Sequence, residues 1–365
     1  MIAAAWRARI GAGAAAFATA VAIALFARVR WPWVWLCWVA LVPWLAALDR
    51  TASLRGALAV GVLMCEAFAL VVFGWFPRAI QNYTAMPWPL ALLVVVVVAP
   101  LLEPQFLSFA LARYLARQRP AAWAVAPAAA GIYVGTEWAF PKLFADTLGQ
   151  ALYASALMRQ AADLAGAQGL TFLLIIANEC VLSAVRAVTS DTSPRARMRR
   201  AIAPVVCFAA VVLGLLVYGS LRVRQFDHAE ARGGERISAG VVQANISKYG
   251  RLAAEMGTFD ATRMILDTYV SLSTEVLQRG PVDLLVWPET VYPTTFGAPK
   301  SEEGAAFDRE IAEFVGRAGA PLLFGAYERE GADEFNAAML LQPTADGKLS
   351  LDSYRKRWLF PLIVR

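Results

Sequence analysis

Glu289 closes the run Val282-Asp283-Leu284-Leu285-Val286-Trp287-Pro288-Glu289. A short valine- and leucine-rich segment reads as a strand of a parallel sheet buried on both faces. Pro288 cannot donate to a ladder and ends it. Glu289 is therefore expected at a carboxyl-end strand tip, the edge of an open α/β sheet where ligands and catalytic groups collect. A carboxylate there suits general-base work; the alternative is a loop glutamate that caps Thr290 or faces water. Lys356 has a comparable setting. It follows an extended run and lies within Tyr354-Arg355-Lys356-Arg357-Trp358-Leu359-Phe360-Pro361. An ammonium beside a carboxylate base would stabilise an oxyanion while the base activates a thiol. The alternative is a basic triplet that is solvated or faces lipid phosphates.

Other chemistries are poorly supplied. The single histidine, His228, argues against histidine triads and multi-histidine metal sites. No Walker or Rossmann glycine fingerprint follows a strand, so neither a nucleotide nor any other cofactor is expected. Besides Lys356, the carboxyl-terminal part holds only Lys248, Lys300 and Lys348 as lysines. The formal charge of +6 comes from arginines in short clusters between apolar spans, a topology signal that points away from nucleic acid.

Elements must position these groups. After Arg224 the composition becomes mixed charged and apolar, which sets a domain boundary near residue 225 and gives domains 1–224 and 225–365. Ile237–Ile246 reads as a strand, 252–279 as a helix, 283–288 as the strand carrying Glu289, and 303–318 as a second helix. Pro321–Tyr327 is a further strand, and Phe335–Leu341 pairs with Leu349–Tyr354 around the Asp346-Gly347 turn. This alternation predicts an α/β sandwich with a parallel component.

The first 224 residues have another character. The chain is 59% hydrophobic, with 12 tryptophans and a mean hydropathy of +0.51, too apolar for a protein soluble throughout. Apolar stretches near 9–27, 31–48, 56–76, 88–112, 121–140, 167–188 and 201–220 approach the roughly 20 residues a spanning helix needs, which predicts a membrane α-helical bundle of about seven or eight spans. The first, with Arg7 and Arg9 at its start, reads as a membrane helix, with a cleaved signal peptide as the alternative. The second is broken by Pro32 and Pro43 and crowded with tryptophan, so an interfacial position is the alternative there. The clusters Arg113, Arg117, Arg119 and Arg186, Arg195, Arg197, Arg199, Arg200 mark cytoplasmic loops under the positive-inside bias, which puts everything after about residue 220 outside; Arg28 and Arg30 fit this less well. Glu66 and Glu103 inside spans mark either a solute pathway or carboxyls bonded to a neighbouring helix. The aromatic stretch from Glu137 to Tyr153 reads as a lipid-entry surface or an anchoring belt.

These residues together resemble apolipoprotein N-acyltransferase, a family that joins a multi-span bundle to an exterior domain of the nitrilase, or carbon-nitrogen hydrolase, type. Trp287-Pro288-Glu289 resembles the nitrilase glutamate motif, and Tyr354-x-Lys356-x-x-Leu359-x-Pro361 the family's lysine motif. Gly149-Gln150, Tyr153, Arg159-Gln160, Asp163, Gly166, Gly169, Phe172 and Asn178 resemble the membrane half. Val242-Gln243-Ala244-Asn245 and Phe335-Asn336-Ala337 resemble strands of the exterior domain. The resemblance implies that Glu289 is the general base and Lys356 the oxyanion stabiliser. It implies transfer of an acyl chain from a phospholipid, through a cysteine thioester, to the amino-terminal diacylglyceryl-cysteine of an apolipoprotein. It also implies a multi-pass protein of the bacterial inner membrane with a periplasmic carboxyl-terminal domain.

The sequence departs from the family at the nucleophile. Its four cysteines, Cys37, Cys65, Cys180 and Cys207, all lie in apolar spans, and none follows Glu289. Burial should raise the thiol pKa of Cys180 and Cys207 and make them packing residues. Residues 225–365 are thus expected to form an incomplete nitrilase-type domain, truncated at the carboxyl end, marginally folded and unable to form a thioester. Two alternatives from other classes are a catalytically inactive membrane scaffold or lipid-binding paralogue, and a small-solute permease using Glu66 and Glu103.

Overall fold

The structure, a computed structural model, describes every residue except Met1, 119–121, Pro141, Leu143, Ala145, Arg232, 234–235, 247–248, Thr290 and 358–365, and no side chains for 2–9, Ala122, 229–231 and Arg251. Arg7, Arg9, Arg119, Lys248, Thr290 and the Leu359 and Pro361 positions of the lysine motif therefore lie outside what is described. The chain divides into two compact units, Met1–Arg232 and Gly233–Arg365.

The first unit is helical: α1 (Ile2–Phe26), α2 (Val42–Asp49), α3 (Leu54–Val71), α4 (Phe76–Thr84), α5 (Trp88–Leu102), α6 (Pro104–Arg117), α7 (Val125–Ala139), α8 (Ala162–Thr189) and α9 (Pro194–Ala231), with short 3-10 turns between some of them. Among the described residues three helices are long and apolar enough to cross a membrane, Leu54–Val71, Met158–Thr189 and Pro194–His228. A fourth span results if α5 and α6, bent by 48° at their junction, count as one. This corrects the expectation of about seven or eight spans. Proline is one cause, since it cannot continue a helix ladder. The second apolar stretch becomes a 3-10 segment, Trp33–Trp38, followed by the 8-residue α2 with Pro43 in its first turn. Pro100 and Pro104 flank the α5–α6 bend. Length is the other cause: α7 has 15 residues, about 22 Å at 1.5 Å per residue, short of a hydrocarbon core of about 30 Å.

Small and aromatic side chains pack the bundle core. Trp44 sits against Phe106 and Phe109, and its indole N–H donates to the Val60 carbonyl at 3.2 Å. Asn178 ties elements together by accepting from the Leu41 amide at 2.9 Å and donating to the Cys37 carbonyl at 2.9 Å. Polar cross-links of this kind join helices where apolar contact gives no driving force. Gly149 fits because a Cβ there would lie 2.0 Å from the Ala167 carbonyl oxygen; its amide donates to Thr171 Oγ1 at 2.7 Å. Several motif residues thus serve packing.

The second unit is a five-stranded mixed sheet in the order β1-β2-β3-β4-β5: β1 (Ala239–Val241), β2 (Leu284–Val286), β3 (Leu322–Glu330), β4 (Asp333–Pro343) and β5 (Leu349–Arg355). The first two pairings are parallel and the last two antiparallel. The expected strand at 237–246 is shorter, and the expected helix over 252–279 is two, α10 (Tyr249–Met256) and α11 (Thr258–Gln278), separated by Gly257 at φ +90°. That left-handed backbone favours glycine and ends the first helix. Together with α12 (Glu302–Ala318), α11 packs on the sheet face bearing Leu285, Trp287, Leu322, Phe324 and Met339. On the strand positions between these, Val241 and Ala338 are exposed and Leu323 and Leu340 only half-buried, as the period-2 alternation of strand side chains requires.

Candidate functional site

Trp287 anchors the site. It is 3% exposed, packs against Tyr269 on α11, Phe314 on α12 and Phe324 on β3, and donates its indole N–H to Ser273 Oγ at 2.8 Å. The strand assignment ends at Val286, one residue earlier, and the Pro288 carbonyl still accepts from the Gly325 amide at 3.2 Å. Glu289 is thereby fixed at the carboxyl end of β2.

Lys356 arrives from the far side of the sheet. The β4–β5 register pairs Ala337 with Arg355, and the Lys356 amide donates to the Asn336 carbonyl at 2.8 Å. Arg355 holds this end of β5 through Glu328 at 2.7 Å and Glu330 at 2.6 Å, with its guanidinium 4.2 Å from the Phe335 ring centroid. Lys356 Nζ then donates to Glu289 Oε1 at 2.8 Å, and Asn336 Nδ2 donates to the same oxygen at 3.0 Å. The two residues selected from sequence thus meet. Asn336, which the sequence places in a strand without a role, completes a three-residue cluster. Its signal was the hairpin register, which cannot be counted before the turn lengths are known.

The electrostatics follow from the contacts. The Lys356 hydrogen bond, and secondarily the Asn336 one, holds the Glu289 carboxyl below its usual range against a desolvation that acts the other way. The side chains are 61% exposed for Glu289 and 32% for Lys356, so the pair is screened and its stabilising contribution is small. A cavity of about 450 Å³ is lined by Trp287, Glu289, Asn336, Tyr354, Lys356 and Arg357 among others. A smaller one of about 210 Å³ brings Gln243, Asn245 and Tyr269 to Glu289. Asn245 has φ +56°, a conformation asparagine tolerates better than most residues, and the Val242–Asn245 motif thus contributes Gln243 and Asn245 to a cavity that Glu289 also lines.

Other sequence candidates are elsewhere. Lys300 pairs with Glu334 at 2.5 Å and Lys348 with Asp346 at 3.3 Å. Glu103 is buried and has Lys142 Nζ at 3.8 Å, in a group that includes Glu137 and Asp146; Glu66 is half-buried. Cys37 and Cys65 are buried, and of the two cysteines expected to be so, Cys180 is buried and Cys207 is exposed. The reason is that α9 turns much of its apolar surface outward, with Val205, Val206, Leu213 and Val217 also exposed. Among the described residues no group of three or more histidine, cysteine, aspartate or glutamate side chains could hold a metal ion.

Comparison with known proteins gives the relationship. Residues 14–180 match the family model described as the apolipoprotein N-acyltransferase N-terminal domain. The apolipoprotein N-acyltransferase of Geobacter metallireducens is 26% identical over 329 residues, covering 85% of this chain and 57% of the relative. That of Bdellovibrio bacteriovorus is 23% identical over 329 residues, covering 86% and 56% respectively. The chain spans about half the length of these curated relatives. It resembles the apolipoprotein N-acyltransferase family along most of its length, and residues 14–180 carry the match to that family's N-terminal domain.

Proposed function

We propose that this chain carries the membrane bundle and part of the exterior, nitrilase-type catalytic domain of an apolipoprotein N-acyltransferase, a multi-pass inner-membrane protein whose domain after residue 224 is periplasmic. The donor is a phospholipid and the acceptor the amino-terminal diacylglyceryl-cysteine of a lipoprotein. The convergence of Glu289, Lys356 and Asn336 on one carboxylate oxygen, in a chain that resembles this family, carries the reading.

The pair divides the chemistry as follows. Glu289, kept ionised by its neighbours, is the base that takes a proton from the attacking thiol. Once protonated it attracts the Lys356 ammonium less, and that ammonium turns to the oxyanion formed on the acyl carbonyl. As the adduct collapses to the thioester the ester C–O bond breaks, and the departing lysophospholipid oxygen takes the proton back from Glu289. Asn336 holds Glu289 Oε1 in place and competes little for the proton. These residues supply a base and an oxyanion contact but no nucleophile, because none of the four cysteines follows Glu289. Residues 1–365 alone should therefore form no acyl-enzyme.

The test uses a phospholipid with an alkyne-bearing acyl chain. The purified chain should acquire no hydroxylamine-sensitive label. A chimera completed with the carboxyl-terminal segment of the Geobacter relative should acquire it, and should lose it by about a hundredfold or more in Glu289→Gln and Lys356→Met. Full labelling in both variants would overturn the assignment. An inert scaffold predicts no labelling in the chimera, and a permease using Glu66 and Glu103 predicts solute uptake that Glu66→Gln abolishes.

A further inference from the structure

The helical unit holds a second concentration of charge. Asp49 closes α2, Arg113 and Arg117 occupy the last turns of α6, and Glu179 and Arg186 lie on α8. Arg113 Nη2 is 3.0 Å from both Asp49 carboxylate oxygens, and Arg117 Nη1 is 3.1 Å from one of them. Arg186 also donates to Asp49, and Arg113 to Glu179. Three guanidiniums thus share two carboxylates, which leaves one formal positive charge.

These groups line a cavity of about 610 Å³ whose other walls include Trp123, Phe172, Ile176 and Pro204. The Arg113 side chain is only 5% exposed, yet its Nε–H, like that of Arg117, is buried without an acceptor. Those two atoms are enclosed by protein, and it is as residues lining the cavity that the three arginines offer an oxyanion the fork geometry that meets it best. Two features select the form in which that oxyanion arrives. The rest of the lining is mostly apolar, with Val125, Phe172, Ile176 and Pro204, and Trp123, which lines the cavity, is 81% exposed. Exposed tryptophan in a membrane protein concentrates at headgroup level, and basic pockets between membrane helices take anionic lipid headgroups.

We propose that this cavity binds the phosphate of an anionic phospholipid, with Arg113, Arg117 and Arg186 as its ligands. The site is independent of Glu289 and Lys356, so neither assignment depends on the other. Native mass spectrometry of the full chain in detergent tests it, with phosphatidylglycerol, phosphatidylcholine and inorganic phosphate as the probes. Phosphatidylglycerol should be retained in preference to phosphatidylcholine. Arg186→Gln removes the most exposed of the three guanidiniums and should lower that preference about fivefold; Arg186→Lys, which keeps the charge, should restore most of it. Asp49→Asn raises the local charge and should increase the preference by a similar factor. An ion-pair network with only a structural role would retain both lipids equally, and that result overturns the proposal. So does loss of the preference in both Arg186→Gln and Asp49→Asn, or displacement of the lipid by inorganic phosphate at equal concentration, which would mark a site for a free anion.

Discussion

Glu289 illustrates how an exposed carboxylate acquires a defined protonation state without burial. Its partners come from two other strands, and both donate to one oxygen. The fold therefore favours the ionised form. A carboxyl held below its usual range adds stability at pH values above that range, and the contribution disappears as pH falls through the folded value. Exposure makes the contribution small, so the measurable consequence is the titration itself. With the side chain followed by carbon-detected NMR, Glu289 should titrate below ordinary glutamates, and Lys356→Met should move its midpoint upward. An unchanged midpoint would mean that the contact does not persist in solution. The same pairing explains why a lone carboxylate at a strand tip was readable from sequence and its second partner, Asn336, was not. Glu289 is marked by the apolar run and the proline before it, whereas Asn336 is marked only by lying opposite Lys356 across a hairpin.

Among the elements, β2 matters most for its length, because it is short and still aims the site. The strand proper is only Leu284–Val286. Two further backbone bonds to β3, from the Trp287 amide to the Leu323 carbonyl and from the Gly325 amide to the Pro288 carbonyl, carry the pairing to Glu289, so the direction of Glu289 rests on these and on Trp287 being locked in the core. Trp287→Ala would remove an indole packed on three rings and leave Ser273 without its donor. Such large-to-small changes in a core cost about 3–5 kcal/mol, and here the loss should appear as a lower denaturation midpoint for the sheet unit. Loss of the Glu289 titration shift should accompany it. A cost under about 1 kcal/mol would show that the ring is dispensable and that Glu289 is positioned by the ladder alone. Periodicity made most of these elements legible. The β3, β4 and β5 strands and α12 fall near their expected positions because each has alternating or helical apolar spacing. The membrane elements were less legible, because apolar length does not reveal where a helix breaks. Pro100 with Pro104, and Pro32 with Pro43, turn apolar stretches into bent or short pieces, and only the arrangement of neighbours decides whether such a piece still spans. The split at Gly257 has a similar origin, since one glycine lowers helix propensity without dictating a positive φ.

For the whole molecule, α9 is the longest of the three helices that are long and apolar enough to cross a membrane among the described residues. Over Pro194–His228 it counts 35 residues, about 52 Å at 1.5 Å per residue, so the apolar stretch between its arginine-rich first turns and its charged end fits within a helix longer than a hydrocarbon core of about 30 Å. Much of its surface faces outward as valine and leucine, as a helix in contact with lipid should. Arg195, Arg197, Arg199 and Arg200 sit at its first turns, and clustered arginine beside a span is retained on the cytoplasmic side. The chain that follows the helix should then emerge on the opposite side whether α5 and α6 count as one span or none, so this end of the topology does not depend on the α5–α6 bend. Cysteine labelling in a background without native cysteines tests it. An impermeant maleimide should label Ser238→Cys in intact spheroplasts and Ser193→Cys only after permeabilisation. Labelling of both positions only after permeabilisation would mean that α9 does not cross the membrane, and the reactions proposed for Glu289 and Lys356 would then face the cytoplasmic leaflet.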